Sequence, residues 1–196
     1  MIGKYTPNAY WRLLRDINGE YYCDVCAVLV NKAVNCFSEN GKGFKARKAE
    51  AVEYVTQALI LSGVAMGLLG NSRPASGAEH HFSHYWEVDA LSKGHEHPLH
   101  GNSVSVGSVI SASLYDLAKD HLPKGFISPD KNRIIEVLNE AGAPVHPKDI
   151  DIDVDLFHRS ILHAMEIRER YTILRFCQEK GLLDKFADIL TETYYS

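Results

Sequence analysis

The sequence of 196 residues lacks the features of membrane-spanning, exported and nucleic-acid-binding proteins. Its longest apolar run, residues 58–70, is shorter than the roughly 20 residues of a membrane helix, so we predict a buried core helix there and no membrane partner. The N-terminus is polar and aromatic, without the apolar segment of a signal peptide. Lysine and arginine are spread along a chain of net charge −4, so we expect no nucleic-acid partner.

Several familiar small motifs are also missing. Cys23 and Cys26 lie one helical turn apart without a second pair, so we interpret them as ordinary thiols. With no export signal, four cysteines indicate a reduced, cytoplasmic protein. The alternating acids of residues 149–155 lack the glycine and final glutamate of a calcium loop, and we interpret them as a solvated lead-in to a helix. Arg168 and Arg170 are assigned to contacts between helices.

What the sequence does contain is apolar residues at helical spacing, and no segment has a convincing strand pattern. With 45% hydrophobic and 23% charged residues, the chain has enough apolar residues for a sizeable core. We therefore predict an all-α, multi-helix bundle, with residues 1–196 forming a single domain. The expected helices cover residues 7–18, 20–37, 44–69, 78–91, 102–121, 131–141, 151–169, 171–179 and 182–192.

Residues 72–107 are rich in histidine, and their spacing indicates a metal site. His80 and His84 are four residues apart and share one face of a helix, which Glu87 continues. His100 follows from a later segment. Two histidines on one helical turn and a third from elsewhere are typical of an open transition-metal site. The spacing alone fits two ordinary helix histidines equally well, but the neighbouring carboxylates, which can orient imidazole ligands, favour the metal site.

Two other parts of this region have weaker signals. His95 and His97 are interpreted as residues of a solvated loop. In residues 72–77, Arg73, Ser76 and the backbone amides before a helix could bind an anion. A plain loop with Ser76 as the helix N-cap explains the same residues slightly better.

The motifs resemble a known family. The run SRPASGAEHHFSHYWE and the later LHGNSVSVG resemble glycerol-1-phosphate dehydrogenases, and GKYT, INGEYYC, ALILSGVAM and RERYTIL resemble the same family in the same order. The resemblance covers essentially the whole chain. The pattern HxxxHxxE followed by LHGxxVxxG is also that of iron-containing alcohol dehydrogenases, glycerol dehydrogenases and dehydroquinate synthases. The PASGxEH lead-in narrows the resemblance to the glycerol-phosphate branch.

The resemblance implies the C-terminal helical domain of such an enzyme. The superfamily has a separate N-terminal domain that binds NAD(P), and this sequence has no glycine-rich strand–turn–helix unit for a dinucleotide. His80 and His100 match the ligands of a divalent metal, either zinc or nickel, with iron as a further option. His84 matches the catalytic residue that contacts the substrate. Arg73 and Ser76 are candidate phosphate contacts, and the third metal ligand, an aspartate, is expected immediately before Met1.

The implied reaction is reversible hydride transfer between NAD(P)H and dihydroxyacetone phosphate, giving sn-glycerol 1-phosphate in glycerophospholipid metabolism. We expect the chain alone to be inactive, with the nucleotide-binding domain lost or on a separate chain. A face exposed by its absence predicts a homo-oligomer. One alternative is a non-catalytic interaction domain with a partial metal site. Another is a relative of glycerol dehydrogenase or dehydroquinate synthase, against which the PASGxEH run argues.

Overall fold

Helix follows helix through residues 2–196, the part of the chain that the computed structural model describes, and no strand interrupts them. The all-α prediction is therefore confirmed. Short 3-10 helices cover Ile2–Lys4, Lys119–His121, Pro147–Ile150 and Ala164–Ile167. The α-helices of these residues are α1 (Tyr5–Asn18), α2 (Asp24–Glu39), α3 (Gly41–Lys45), α4 (Ala49–Leu69), α5 (Ala78–Ser92), α6 (His100–Leu117), α7 (Lys131–Ala141), α8 (Val154–His163), α9 (Ile173–Glu179) and α10 (Leu183–Tyr195).

Local chemistry explains several of the predicted boundaries. Helix α1 ends at Asn18 because Gly19 adopts a left-handed φ of 69° and its N–H bonds to the carbonyl of Arg15. Helix α7 begins at the predicted residue because the Asp130 side chain accepts a hydrogen bond from the backbone N–H of Arg133, and it ends before Gly142, which has a left-handed φ of 74°. Capping groups of this kind are visible in sequence, so these helix ends were predictable.

The predicted long helix over residues 44–69 is wrong at its start. The chain forms the short helix α3, then turns through Arg47, which has a left-handed φ of 52°, before α4 begins at Ala49. The predicted loop of residues 38–43 is correspondingly largely helical. The turn places α3 against α7 while α4 packs along α2. One straight helix could not make both contacts.

Helix α6 lies at the centre of the fold. All of its residues from Ser103 to Tyr115 are buried. One side of α6, through Val106, Ile110 and Leu114, joins a core that is shared with α1, α5, α8, α9 and α10. The opposite side, through Val109 and Ala112, joins a second core with α1, α2, α4 and α7. A helix that is apolar on all sides is a buried one, and α6 accordingly joins the two cores.

Helix α4 is the largest departure from the sequence prediction. It packs on α2, and its buried residues are all small: Ala51, Ala58, Ser62 and Ala65. Larger apolar side chains point to solvent, with Ile60 61% and Leu68 66% exposed. The predicted buried core helix at residues 58–70 is thus wrong, because only small residues of this stretch are fully buried. By length and composition, α4 is the one helix within residues 2–196 that could cross a membrane, which by itself is weak evidence.

Candidate functional site

The first turn of α5 fixes His80 through a buried carboxylate. The Glu79 side chain is fully buried and accepts hydrogen bonds from the Gly77 N–H (2.6 Å) and the Thr6 hydroxyl (2.6 Å). Its Oε1 also lies 2.7 Å from Nδ1 of His80. Burial alone would raise the pKa of Glu79, but its hydrogen bonds, with that of His80 the largest, keep the pKa below its ordinary value. The ionised carboxylate therefore accepts a hydrogen bond from the Nδ1–H of His80, which leaves Nε2 with a lone pair.

His100, the first residue of α6, lies next to both α5 histidines. Its ring centroid is 5.4 Å from that of His80 and 5.5 Å from that of His84, and Ser83 Oγ is 3.1 Å from its Nδ1. Burial, followed by the neighbouring His80 and His84, lowers the pKa of His100. The structure thus brings the three sequence-predicted histidines together, and His100 is biased toward the neutral form that can bind a metal.

His84 lies between the carboxylate of Glu87 and the guanidinium of Arg168. Its Nδ1 lies 3.0 Å from Glu87 Oε2, and its Nε2 lies 3.1 Å from Nη2 of Arg168. A guanidinium group can only donate, so Nε2 must accept, and Nδ1 carries the proton that is donated to Glu87. Sequence reasoning had assigned Arg168 to a contact between helices. Residues 84 positions apart make this contact, and no local pattern reports it.

The tightest group of possible metal donors differs from the predicted pair. Donor atoms of His84, Glu87 and His100 all lie within 4.8 Å of one another. The hydrogen bond with His84 lowers the pKa of Glu87, so this carboxylate is ionised at neutral pH. The site can therefore supply a negatively charged oxygen ligand as well as imidazoles. Glu87 had been noted in the sequence as continuing the histidine face.

A cavity of about 370 Å³ opens beside the histidine cluster. His80 and His100 line one wall, and Gly3, Lys4 and Val104 line the side formed by the N-terminal 3-10 helix and α6. Burial lowers the pKa of Lys4, and the nearby Glu79 carboxylate acts in the opposite direction. The cavity has room for a small ligand directly against two imidazoles.

Arg73 and Ser76, the predicted phosphate contacts, have other partners. The Arg73 guanidinium forms an ion pair with Glu20 (2.7 Å) and donates to the Tyr10 hydroxyl (2.6 Å). The carbonyl of the buried Ser76 accepts a 2.6 Å hydrogen bond from Arg170. These contacts fix the loop that precedes α5.

The weaker motifs have the structural roles that the sequence indicated. His95 and His97 are exposed in the loop between α5 and α6. All four cysteines are free thiols. Asp149 accepts hydrogen bonds from the N–H groups of Val145 and His146, as a residue at the start of a helix does.

Comparisons with known proteins give a consistent result. No family model matches the chain. Proteins named glycerol-1-phosphate dehydrogenase (NAD(P)+) are similar to it: that of Bacillus licheniformis is 32% identical and matches 93% of this chain, that of Aeropyrum pernix 34% and 97%, and that of Thermococcus sibiricus 36% and 89%. The matched regions make up 48%, 49% and 45% of those proteins, so the chain spans about half the length of the relatives it matches.

Proposed function

We propose, from the premise that this chain is a partial relative of the glycerol-1-phosphate dehydrogenases, that it is the metal- and substrate-binding domain of an NAD(P)-dependent oxidoreductase. The reaction is reversible hydride transfer between NAD(P)H and dihydroxyacetone phosphate, giving sn-glycerol 1-phosphate for glycerophospholipid synthesis in the cytoplasm. The observation that carries the proposal is the convergence of His80, His84 and His100 beside a cavity.

A divalent zinc, nickel or iron ion would be held by His80 and His100. His80 suits this role because its Nδ1–H donates to Glu79, which leaves the Nε2 lone pair free. The Nε2 of His84 already accepts from Arg168, so we assign His84 to the substrate in spite of its place in the tighter donor group. Glu87 is the nearby carboxylate that can balance the charge of a dication. When bound, the ion supplies Lewis-acid polarisation of the oxygen on the reacting carbon.

His84 would contact the hydroxyl group of the substrate and move its proton. Its Nε2 faces away from Glu87, which accepts a hydrogen bond from the Nδ1–H and so keeps the ring in one orientation. NAD(P) would be bound by a separate nucleotide-binding domain, since residues 2–196 contain no strand and hence no strand–turn–helix unit for a pyrophosphate. This chain, as one helical domain, would then provide the metal and substrate groups of a shared active site.

Metal binding by the purified chain tests the assignment directly. Isothermal titration with zinc should show at least about 10-fold weaker binding for His80→Ala and for His100→Ala, because each removes an imidazole ligand. His95→Ala, an exposed loop histidine, is the matched control and should bind like the wild type. Unchanged affinity in both ligand variants would refute the site.

The chain alone should not oxidise NADH with dihydroxyacetone phosphate, and robust turnover would contradict the separate cofactor domain.

The exposed face of α4 favours a second candidate role, in protein association. Leu59, Ile60, Val64 and Leu68 are each about half exposed or more, and Val25 and Val28 of α2 are exposed as well. We propose that a second copy of the chain packs here and forms a homo-oligomer, because an apolar patch of this kind is seldom left in water. Glu50 and Glu53, near the start of α4, argue for a protein interface over a bilayer.

A further inference from the structure

Arg168, the cation in contact with His84, has no carboxylate partner in the described part of the chain. The exposed Arg168 side chain contacts His84 at 3.1 Å and forms no ion pair within residues 2–196. The other two arginines of this region differ from it. Arg73 is paired with Glu20, and Arg170 donates to a carbonyl and a hydroxyl of the loop that precedes α5. An exposed guanidinium without a counter-charge, next to polar groups of a ligand site, is suited to bind an anion.

The fold holds Arg168 at this place. It follows the 3-10 helix Ala164–Ile167, which packs against α5 and buries Ala164 and Met165. Two residues further on, Arg170 donates to Ser76 O and Ser72 Oγ. The segment is therefore attached on both sides of Arg168, and its backbone cannot move far from α5 without breaking these contacts.

We propose that Arg168 binds the phosphate group of the substrate. The inference rests on the proposed function and names the residue that would select phosphorylated over neutral triols. In glycerol 1-phosphate, the phosphate ester is attached to the carbon next to the one that reacts. The groups that bind the phosphate and the reacting hydroxyl must therefore be neighbours, as Arg168 and His84 are. A guanidinium binds phosphate through two parallel hydrogen bonds, which also orients it.

Phosphate binding would also change the state of His84. In the ligand-free chain, Arg168 donates to Nε2 of His84. When the guanidinium turns to the phosphate, it gives up this bond, and the Nε2 lone pair can accept a hydrogen bond from the substrate hydroxyl. The Nδ1 proton stays on the Glu87 side throughout. His84 would thus become available to a hydroxyl when a phosphate is present.

Lys4 is the competing cation, on the cavity side of the histidines. Its burial disfavours the charged form, and the nearby Glu79 carboxylate already compensates what charge it has. Arg168 is exposed, permanently charged and without a counter-charge among the described residues. These differences favour Arg168 as the phosphate contact.

Calorimetric titration of the zinc-loaded chain with sn-glycerol 1-phosphate and with glycerol tests the inference. Arg168→Ala should weaken binding of the phosphorylated triol at least about 10-fold, since a charge-assisted bidentate contact is lost. It should not weaken binding of glycerol, which has no phosphate, because the variant leaves Nε2 of His84 free for a hydroxyl. Arg168→Lys should restore part of the affinity. Arg175→Ala is the matched control, because Arg175 lies on α9 and donates to Gln178.

Three results would overturn the inference. The first is that Arg168→Ala binds glycerol 1-phosphate as tightly as the wild type. The second is that Lys4→Ala loses this binding while Arg168→Ala keeps it, which would place the phosphate on the cavity side. The third is that the wild type binds glycerol 1-phosphate no more tightly than glycerol. None of these measurements uses the His80 and His100 variants, so the zinc titration reports separately on the proposed function.

Discussion

The helix pairs α5–α6 and α2–α4 are built alike but bury different amounts of apolar surface. In both pairs, small side chains make the close contact, such as Gly107 in α6 and Ala58 and Ala65 in α4. Helix α6 is also covered by α1, α7, α9 and α10, whereas α4 packs mainly on α2. Burial in this fold is therefore decided by how many neighbours surround a helix, and not by how apolar its sequence is.

This difference in burial also distinguishes the candidate metal site on α5 and α6 from the proposed association surface on α4. The α5–α6 pair buries charged and polar side chains, including Glu79, His81 and Ser108, between closely packed helices. Such packing can hold His80 and His100 at a constant separation. The α4 face presents large apolar side chains and contributes Leu59 alone to the wall of the cavity. One pair is organised for a site and the other for contact with a partner.

Truncation of one large side chain in each pair should give the largest contrast. Phe82 in α5 is fully buried, so Phe82→Ala should cost about 3–5 kcal/mol of unfolding free energy through lost burial and a cavity. Leu68 in α4 is 66% exposed, and Leu68→Ala should change the unfolding free energy of the monomer by less than about 0.5 kcal/mol. Urea denaturation at low protein concentration measures both values.

Light scattering of the same variants separates folding from association. If α4 is an interface, Leu68→Ala should shift the chain toward the monomer, while Phe82→Ala should not do so before it unfolds. Similar losses of monomer stability in the two variants would show that the α4 face is covered within one chain. That result would contradict the distinction between the two pairs.

Glycine-to-alanine substitutions in the two helix pairs should change the unfolding free energy in opposite directions. A Cβ at Gly107 would lie 2.7 Å from the carbonyl oxygen of Glu79, so Gly107→Ala must push α5 away from α6 and should cost about 1–3 kcal/mol. A Cβ at Gly67 of α4 would meet nothing within 4 Å, and Gly67→Ala should stabilise by up to about 1 kcal/mol. Thermal and urea unfolding check both signs, and a neutral Gly107→Ala would contradict the close packing of α5 on α6.

Much of the fold could be predicted because its signals are local. The cap at Asp130 and the glycine after Asn18 mark helix ends in the sequence itself. The burial of α4 could not be predicted in this way, because its hydrophobicity suits a core helix and an interface equally. The break at Arg47 was also hidden, since a left-handed arginine has no sequence signature and reflects the separate packing of α3 and α4.

In the candidate site as well, the local features could be predicted from the sequence and the tertiary contacts could not. The spacing of His80 and His84 on one helical turn predicts their common face, and the close approach of His100 was expected from its motif. The contacts of Glu79 with Thr6, 73 positions away, and of His84 with Arg168 depend on tertiary packing. Periodicity reports which face a side chain occupies, but the groups that orient it come from elsewhere in the chain.

Acid should destabilise the α5–α6 pair through His81. This ring is fully buried, and within residues 2–196 neither of its nitrogens has a hydrogen-bond partner. Burial is the main cause that lowers the pKa of His81 to about 4, with the charges of Arg170, Arg168 and His80 acting in the same direction and Glu79 against them. The unfolded chain, with a pKa near 6.5, then takes up the proton first, so stability is complete above pH 6.5 and falls as the pH drops toward 4.

Between pH 8 and 5.5, this one group should cost about 1.4 kcal/mol of unfolding free energy. His81→Gln removes the titrating ring, so the fall in unfolding free energy of the metal-free chain over this range should be smaller by that amount. His95→Gln, at an exposed loop position, should keep the wild-type dependence. An identical pH dependence in His81→Gln and the wild type would mean that the ring reaches solvent or a partner, and that α5 and α6 separate more easily than their packing indicates.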